Sequence, residues 1–170
     1  MTDGTYLRID GRAAVRFTRH YSQPIDRVWA ALTEPAQVPA WFPAAFTFEA
    51  VVGGTIRFSG DAYAEDGTGR VLAYEPPHRF AFTWGDNEVH LELVQQGDGC
   101  VLTLTDILSA ADEAARNAAG WTVCLHELDA VVAGHPGGGP HAPGARAWQP
   151  LYDEYVASGM PSGAEVPGSD

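Results

Sequence analysis

The stretch from Ser109 to His135, SAADEAARNAAGWTVCLHELDAVVAGH, constrains this chain more than any other. Ala111, Ala114, Ala118, Trp121, Leu125, Leu128 and Val132 recur at alternating steps of three and four residues, so one helix face carries them all. Ser109 is placed to open the helix, with Asp112 three residues on as in a capping box. Asp112 and Glu113 also sit near the positive helix end. Gly134 followed by Pro136 supplies the stop. Such a helix, small at its front and bulky further on, requires a broad apolar surface to lie against.

The preceding hundred or so residues read as that surface. RAAVRFTRHY, from Arg12 to Tyr21, fits a first strand. Ile25, Val28, Trp29 and Leu32 then fall at i, i+3, i+4 and i+7, which predicts a helix from Pro24 to just before Pro35. A second short helix, AQVPAWF, is expected from Pro35, kept irregular by Pro39 and Pro43. From Phe46 the period changes to two. FTFEAVV, TIRFSGDAYA, TGRVLAYE, RFAFTW, EVHLELVQQ and CVLTLTDIL are separated by Gly53-Gly54, Asp66-Gly67, Pro76-Pro77, Gly85-Asp86-Asn87 and Gly97-Asp98-Gly99. Short connections imply an antiparallel meander with one apolar face, and the long helix is its cover. The expected class is α+β, a curved antiparallel sheet wrapped around a long C-terminal helix, with two short helices after the first strand.

The chain is 170 residues long, enough for one domain with a real core. That domain is expected over residues 1–135, followed by a Gly/Pro-rich linker over 136–146 and an extension over 147–170. In the extension Trp148, Leu151, Tyr152, Tyr155 and Val156 recur at helical spacing, and the final residues are expected to fray. So short a helix needs a docking surface, on its own domain or on a neighbour. A homodimer through this helix, or docking on a chaperone, are the protein partners it suggests.

Net charge is -12, and all ten basic residues are arginine. With no concentrated basic surface, neither nucleic acid nor an anionic membrane is expected as a partner. No apolar run is long enough to span a bilayer, and MTDGTYLRIDGR lacks a secretory pattern, so a cytoplasmic location is expected. Cys100 and Cys124 have no metal-type spacing and read as buried, reduced thiols.

With these residues laid out, the chain resembles the SRPBCC superfamily, whose fold is the helix-grip, also called START-like or Bet v1-like. More narrowly it is similar to the family named for the C-terminal domain of the activator of Hsp90 ATPase. PIDRVWAALTEPAQVPAWF, VVGGTIRF, GRVLAYEPPHRFAFTW, VHLELVQQGDGCVLTLTD and AAGWTVCLHELDAVVAG carry the likeness, over about residues 12 to 135. The resemblance implies an apolar or aromatic small-molecule ligand held between the long helix and the sheet. It also admits cyclase or hydrolase chemistry in the same space.

Candidate binding residues are Trp41, Phe58, Phe82, Trp84, Trp121 and Leu125, drawn from an aromatic set that also includes Phe42, Phe46, Phe48 and Phe80. They line either a ligand pocket or a filled core. The alanines at the front of the long helix leave either close helix-sheet approach or empty space. Asp106 shares parity with Leu102 and Leu104 and is an inward group at the cavity mouth or, more simply, the polar exit of its strand. An enzymatic reading depends on it. His90 and Glu92 alternate with Val89, Leu91 and Leu93 and are expected on the solvated face, His78 in an exposed turn, and His126 on the outer side of the helix. No GxSxG, HExxH or phosphate-loop glycine pattern occurs, so no catalytic set, cofactor or metal is expected, beyond adventitious metal at His135 and His141.

Overall fold

A computed structural model describes residues 3–135 and 138–167. Eight antiparallel strands form one sheet: β1 (Thr5–Ile9), β2 (Arg12–Tyr21), β3 (Ala45–Phe48), β4 (Thr55–Ser59), β5 (Gly67–Glu75), β6 (Arg79–Trp84), β7 (Asn87–Gln96) and β8 (Gly99–Ile107). Their order across the sheet is β1-β2-β8-β7-β6-β5-β4-β3. Between β2 and β3 lies α1 (Ile25–Thr33); α2 (Ala114–Val132) follows β8, and α3 (Trp148–Ala157) follows the Gly/Pro-rich segment. This is the α+β helix-grip arrangement.

The meander follows the turn residues. The register of β6, β7 and β8 sets Phe82 opposite Val89 and Leu91 opposite Leu104, so period-two alternation sends these side chains to the helix side. A register shift between Val71 and Ala73, where β5 meets β6, is the kind of irregularity that bends a sheet.

Four local expectations are corrected. A strand, β1, precedes the one expected first. Its hairpin turns at Asp10 and Gly11, both with positive φ (50° and 81°), the backbone that an Asp-Gly pair adopts most readily in a two-residue turn. The helix expected from Pro35 shrinks to one 3-10 turn at Val38–Ala40, because Pro39 cannot donate and its neighbours are held off regular helix. The strand expected through Ala64 stops at Ser59, where Gly60 turns away and its N–H meets Asp66 Oδ1.

The fourth concerns the long helix. Residues Ala111–Glu113 form a 3-10 turn and regular helix begins only at Ala114. Ser109 Oγ donates to Glu113 Oε2 (2.6 Å) rather than making a backbone cap with Asp112. Instead the Ala115 N–H is satisfied by the Pro161 carbonyl (2.9 Å), contributed by the chain beyond α3. The other end closes as expected at Gly134, whose N–H donates to Val131 O while the His135 N–H reaches Ala130 O. Pro136, the second half of that stop signal, lies outside the described residues, as do Gly137 of the linker and the last three residues.

Thirteen of the nineteen residues of α2 are buried, more than one amphipathic face provides. At about 100° per residue three faces separate. Ala114, Ala118, Trp121, Leu125 and Leu128 meet the sheet. Thr122 meets α3, its hydroxyl 2.7 Å from that of Tyr155, which also accepts the Gly4 N–H. Arg116, Asn117, Gly120, Val123 and Cys124 make up the third face. Leu151 and Tyr155, the apolar side of α3, are buried in this same chain. No helix among the described residues is long and apolar enough to cross a membrane.

Candidate functional site

The space between the sheet and the Ala/Trp/Leu face of α2 is filled. Ala114, Ala115, Ala118 and Ala119 have no exposed surface, so the small residues bring helix and sheet close together. Phe42 stands in the middle of the filling, with ring centroids at 5.5 Å from Trp41, 5.4 Å from Phe46, 4.8 Å from Trp84 and 5.9 Å from Trp121. Most of these pairs are tilted or edge-on, as ring quadrupoles favour.

Empty space lies on the third face of α2. A cavity of about 770 Å³ opens there, between Asn117, Gly120, Trp121 and Cys124 on the helix, Trp84 at the end of β6, Asp61 and Tyr63 in the β4–β5 loop, and the segment from Pro140 to Trp148. That segment crosses the cavity as a strap. His141 holds it to the loop, with Nε2 3.7 Å from Asp61 Oδ1 and its ring edge-on to Tyr63 at 5.0 Å. A Cβ built on Gly120 would meet nothing within 4 Å, so the cavity reaches the helix backbone at that point.

The six sequence-predicted residues divide accordingly. Trp84 and Trp121 line this cavity, meeting at 5.8 Å edge to face. Phe58 lines a smaller groove of about 490 Å³ beside β3 and β5. Trp41, Phe82 and Leu125 are fully buried in the packed layer beneath. Arg116, Asn117, Gly120, Tyr63 and Arg146 carry no signal of a site in the sequence, where His141 reads only as an adventitious metal ligand and Trp148 only as part of the C-terminal helix stripe. On a helical wheel Arg116 and Asn117 look like solvent-facing residues, and the strap looks like a linker. Only tertiary structure brings them together.

Asp106 is not the polar exit of β8. It is 1% exposed and faces α2 from behind the cavity wall. Its Oδ2 accepts the Trp121 indole N–H (2.9 Å) and an Asn117 amide N–H (3.2 Å), while the buried Oδ1 has no hydrogen-bond partner among the described residues. Parity with Leu102 and Leu104 holds through the end of the strand, and two donors on the helix compensate part of the burial. Burial pushes its carboxyl up from 3.8 to about 6, against the lowering effect of the two hydrogen bonds.

Between those two values the folded protein binds the proton that the unfolded chain has released, so this group's cost to stability grows as pH rises through the window and is absent well below it. Asp106→Asn is therefore expected to gain about 2 kcal/mol in stability relative to the parent between pH 4 and pH 7. Urea unfolding of both proteins at the two pH values measures this; an unchanged difference would contradict it.

The remaining polar candidates lie apart. His126 and His78 are exposed, His90 lies on the opposite face of the sheet 3.5 Å from Glu88, and Glu92 is exposed. Cys100 and Cys124 are buried free thiols, and burial pushes both thiols up, away from thiolate reactivity. Among the described residues no group of three His, Cys, Asp or Glu side chains is placed to hold a metal.

The family described as activator of Hsp90 ATPase homolog 1-like protein matches residues 22–133. No curated protein matches at a significant level. Among solved structures, CalU16 from Micromonospora echinospora is 23% identical, with a TM-score of 0.69 over 94% of this chain and 97% of that one. EF2215 from Enterococcus faecalis, a conserved protein of unknown function, is 19% identical with a TM-score of 0.72 over 91% and 89%. A protein encoded by BPP1335 from Bordetella parapertussis is 24% identical with a TM-score of 0.68 over 98% and 94%. At these identities the likeness establishes the fold, and the CalU16 and BPP1335 alignments span nearly the whole chain, including the region of the strap and α3.

Proposed function

The chain belongs to the activator of Hsp90 ATPase homolog 1-like family, and on that footing we propose that it binds an apolar, aromatic small molecule in the cavity under the strap. One observation carries the reading: about 770 Å³ of open space walled by Trp84, Trp121 and Trp148, with polar side chains such as Asn87, Asn117 and Arg146 among its lining, beside a packed aromatic layer. Ligand sites are typically concave, mostly apolar and of this volume. Of the candidates named from sequence, Trp84 and Trp121 are proposed as contact residues. Trp41, Phe82 and Leu125 are proposed to support them from behind.

Gly120 provides the test. Gly120→Leu would project into the cavity with no clash at its Cβ and would raise helix propensity, so the variant is expected to be as stable as the parent or up to about 1 kcal/mol more so. A polycyclic aromatic probe at a hundred times its Kd should raise the melting midpoint of the parent by about 5–10 °C. Gly120→Leu should abolish that shift. If no aromatic or lipid-like compound stabilises the parent, or if Gly120→Leu binds as well as the parent, the reading fails.

A second reading, cyclase- or hydrolase-type chemistry, is favoured by one observation. Asp106 is a buried carboxyl with a free oxygen, hydrogen-bonded to two residues of the cavity wall. It ranks second because Asn117 and Trp121 stand between this carboxyl and the cavity. Turnover of a p-nitrophenyl ester that Asp106→Asn abolishes without changing probe affinity would favour it over binding alone.

A further inference from the structure

The cavity's charges point to the class of ligand. The chain carries a net charge of -12 and ten arginines, two of which, Arg116 and Arg146, line this one cavity. Among the described residues Asp61 is the one carboxylate on the lining, and it is engaged, facing His141 and accepting the Tyr63 N–H (2.9 Å). Arg116 is likewise held: its Nε donates to Asn117 Oδ1 (2.9 Å), one terminal nitrogen donates to Glu165 O (2.8 Å), and the other lies 3.8 Å from Glu113 Oε2. Arg146 differs. It is half-buried in the strap and, among the described residues, has no hydrogen bond or ion pair. A guanidinium on the cavity lining that no protein group engages keeps its planar fork of N–H donors free for a ligand, and that fork matches a carboxylate.

We propose that the ligand of this cavity is an aromatic carboxylate, its apolar body against Trp84 and Trp121 and its anionic group on Arg146. This rests on the cavity being a ligand site, as proposed above. On the helix side the N–H groups of Trp121 and Asn117 are taken by Asp106 and Arg116 is held by its own partners, so the anionic end belongs at the strap and not at the helix. The arrangement also selects against neutral aromatics of the same shape, which would cover Arg146 without pairing it.

The test uses a matched pair of probes, 2-naphthoate and 2-naphthamide, titrated into the full chain at low and high salt by tryptophan fluorescence. Three proteins are compared: the parent, Arg146→Gln, and Arg57→Gln, which alters an exposed arginine that is not on the lining of this cavity. Naphthoate is expected to bind the parent about tenfold more tightly than the amide. That advantage should shrink in high salt, vanish in Arg146→Gln and persist in Arg57→Gln. Saturable binding of both probes with equal affinity, or an advantage that survives Arg146→Gln, would overturn the assignment to Arg146 while leaving the cavity reading in place. Binding of neither probe would overturn both.

Discussion

Replacing Phe42 by alanine is expected to cost about 3–5 kcal/mol, the range for a buried aromatic truncated in a packed core. Phe42 is 1% exposed and touches six rings of the aromatic layer: Trp41 beside it, Phe46 and Phe58 on β3 and β4, Phe82 and Trp84 on β6, and Trp121 on α2. Its contacts therefore join three strands of the sheet to the long helix. Against a total stability of about 5–15 kcal/mol for a typical domain, the loss is a large fraction. A functional consequence follows from geometry. Trp84 and Trp121 form the cavity floor, and Phe42 packs against both rings from beneath, at 4.8 and 5.9 Å. Without it both indoles gain room to sink, so probe affinity should fall even at temperatures where the variant remains folded. Urea unfolding measures the first effect and a probe titration the second. A loss below about 1 kcal/mol would mean that the layer is not the continuous packed unit its ring distances describe.

Removing residues 136–170 is expected to cost about 3–6 kcal/mol, from the burial of Leu151 and Tyr155 alone at about 1.5–3 kcal/mol each. Both are 2% exposed, and Met160 adds to them. The truncation also strips the Pro161 carbonyl from the Ala115 N–H and the Tyr155 hydroxyl from Thr122 and Gly4. Were the tail a separable extension, the remainder would keep its stability and lose only an appendage. The Leu151 and Tyr155 face of α3 packs on α2 of the same chain, so the truncated protein should be less stable and, with that face of α2 uncovered, more prone to associate. It should also lose probe binding, because the strap is one wall of the cavity. Thermal unfolding with sedimentation analysis of both lengths checks this. A truncated chain that melts where the full chain does would contradict it.

How far the sequence carried the fold depends on the kind of signal. The stripe on α2, the turn pairs between β4 and β8, and the Gly134 stop are local patterns, and local patterns are what periodicity and turn chemistry encode. The Asp10-Gly11 pair was an equally good hairpin signal, followed and preceded by strand-like residues, and it marks β1. Asp106 was legible by parity but not by burial, since whether a carboxylate leaves a strand or enters a core depends on Trp121 and Asn117 reaching it from another element. The site itself was the least legible part. Trp84 and Trp121 are conspicuous in any sequence, whereas Arg146 sits in a stretch whose composition says linker. Its place over the cavity is set by contacts of His141 and Trp148 more than twenty residues distant in the chain from what they touch.

The five tryptophans offer the most direct measurement of whether the space under the strap is a ligand site. Trp84, Trp121 and Trp148 line the cavity. Trp41 is buried beneath it, with its indole N–H on Ala31 O, and Trp29 packs against Tyr74 and Phe80. Indole N–H resonances resolve these side chains individually in a nitrogen-labelled protein. Saturation with 2-naphthoate should move the signals of Trp84, Trp121 and Trp148 and leave those of Trp29 and Trp41 in place. Five unmoved signals, or movement confined to Trp29 and Trp41, would contradict a binding site in this cavity.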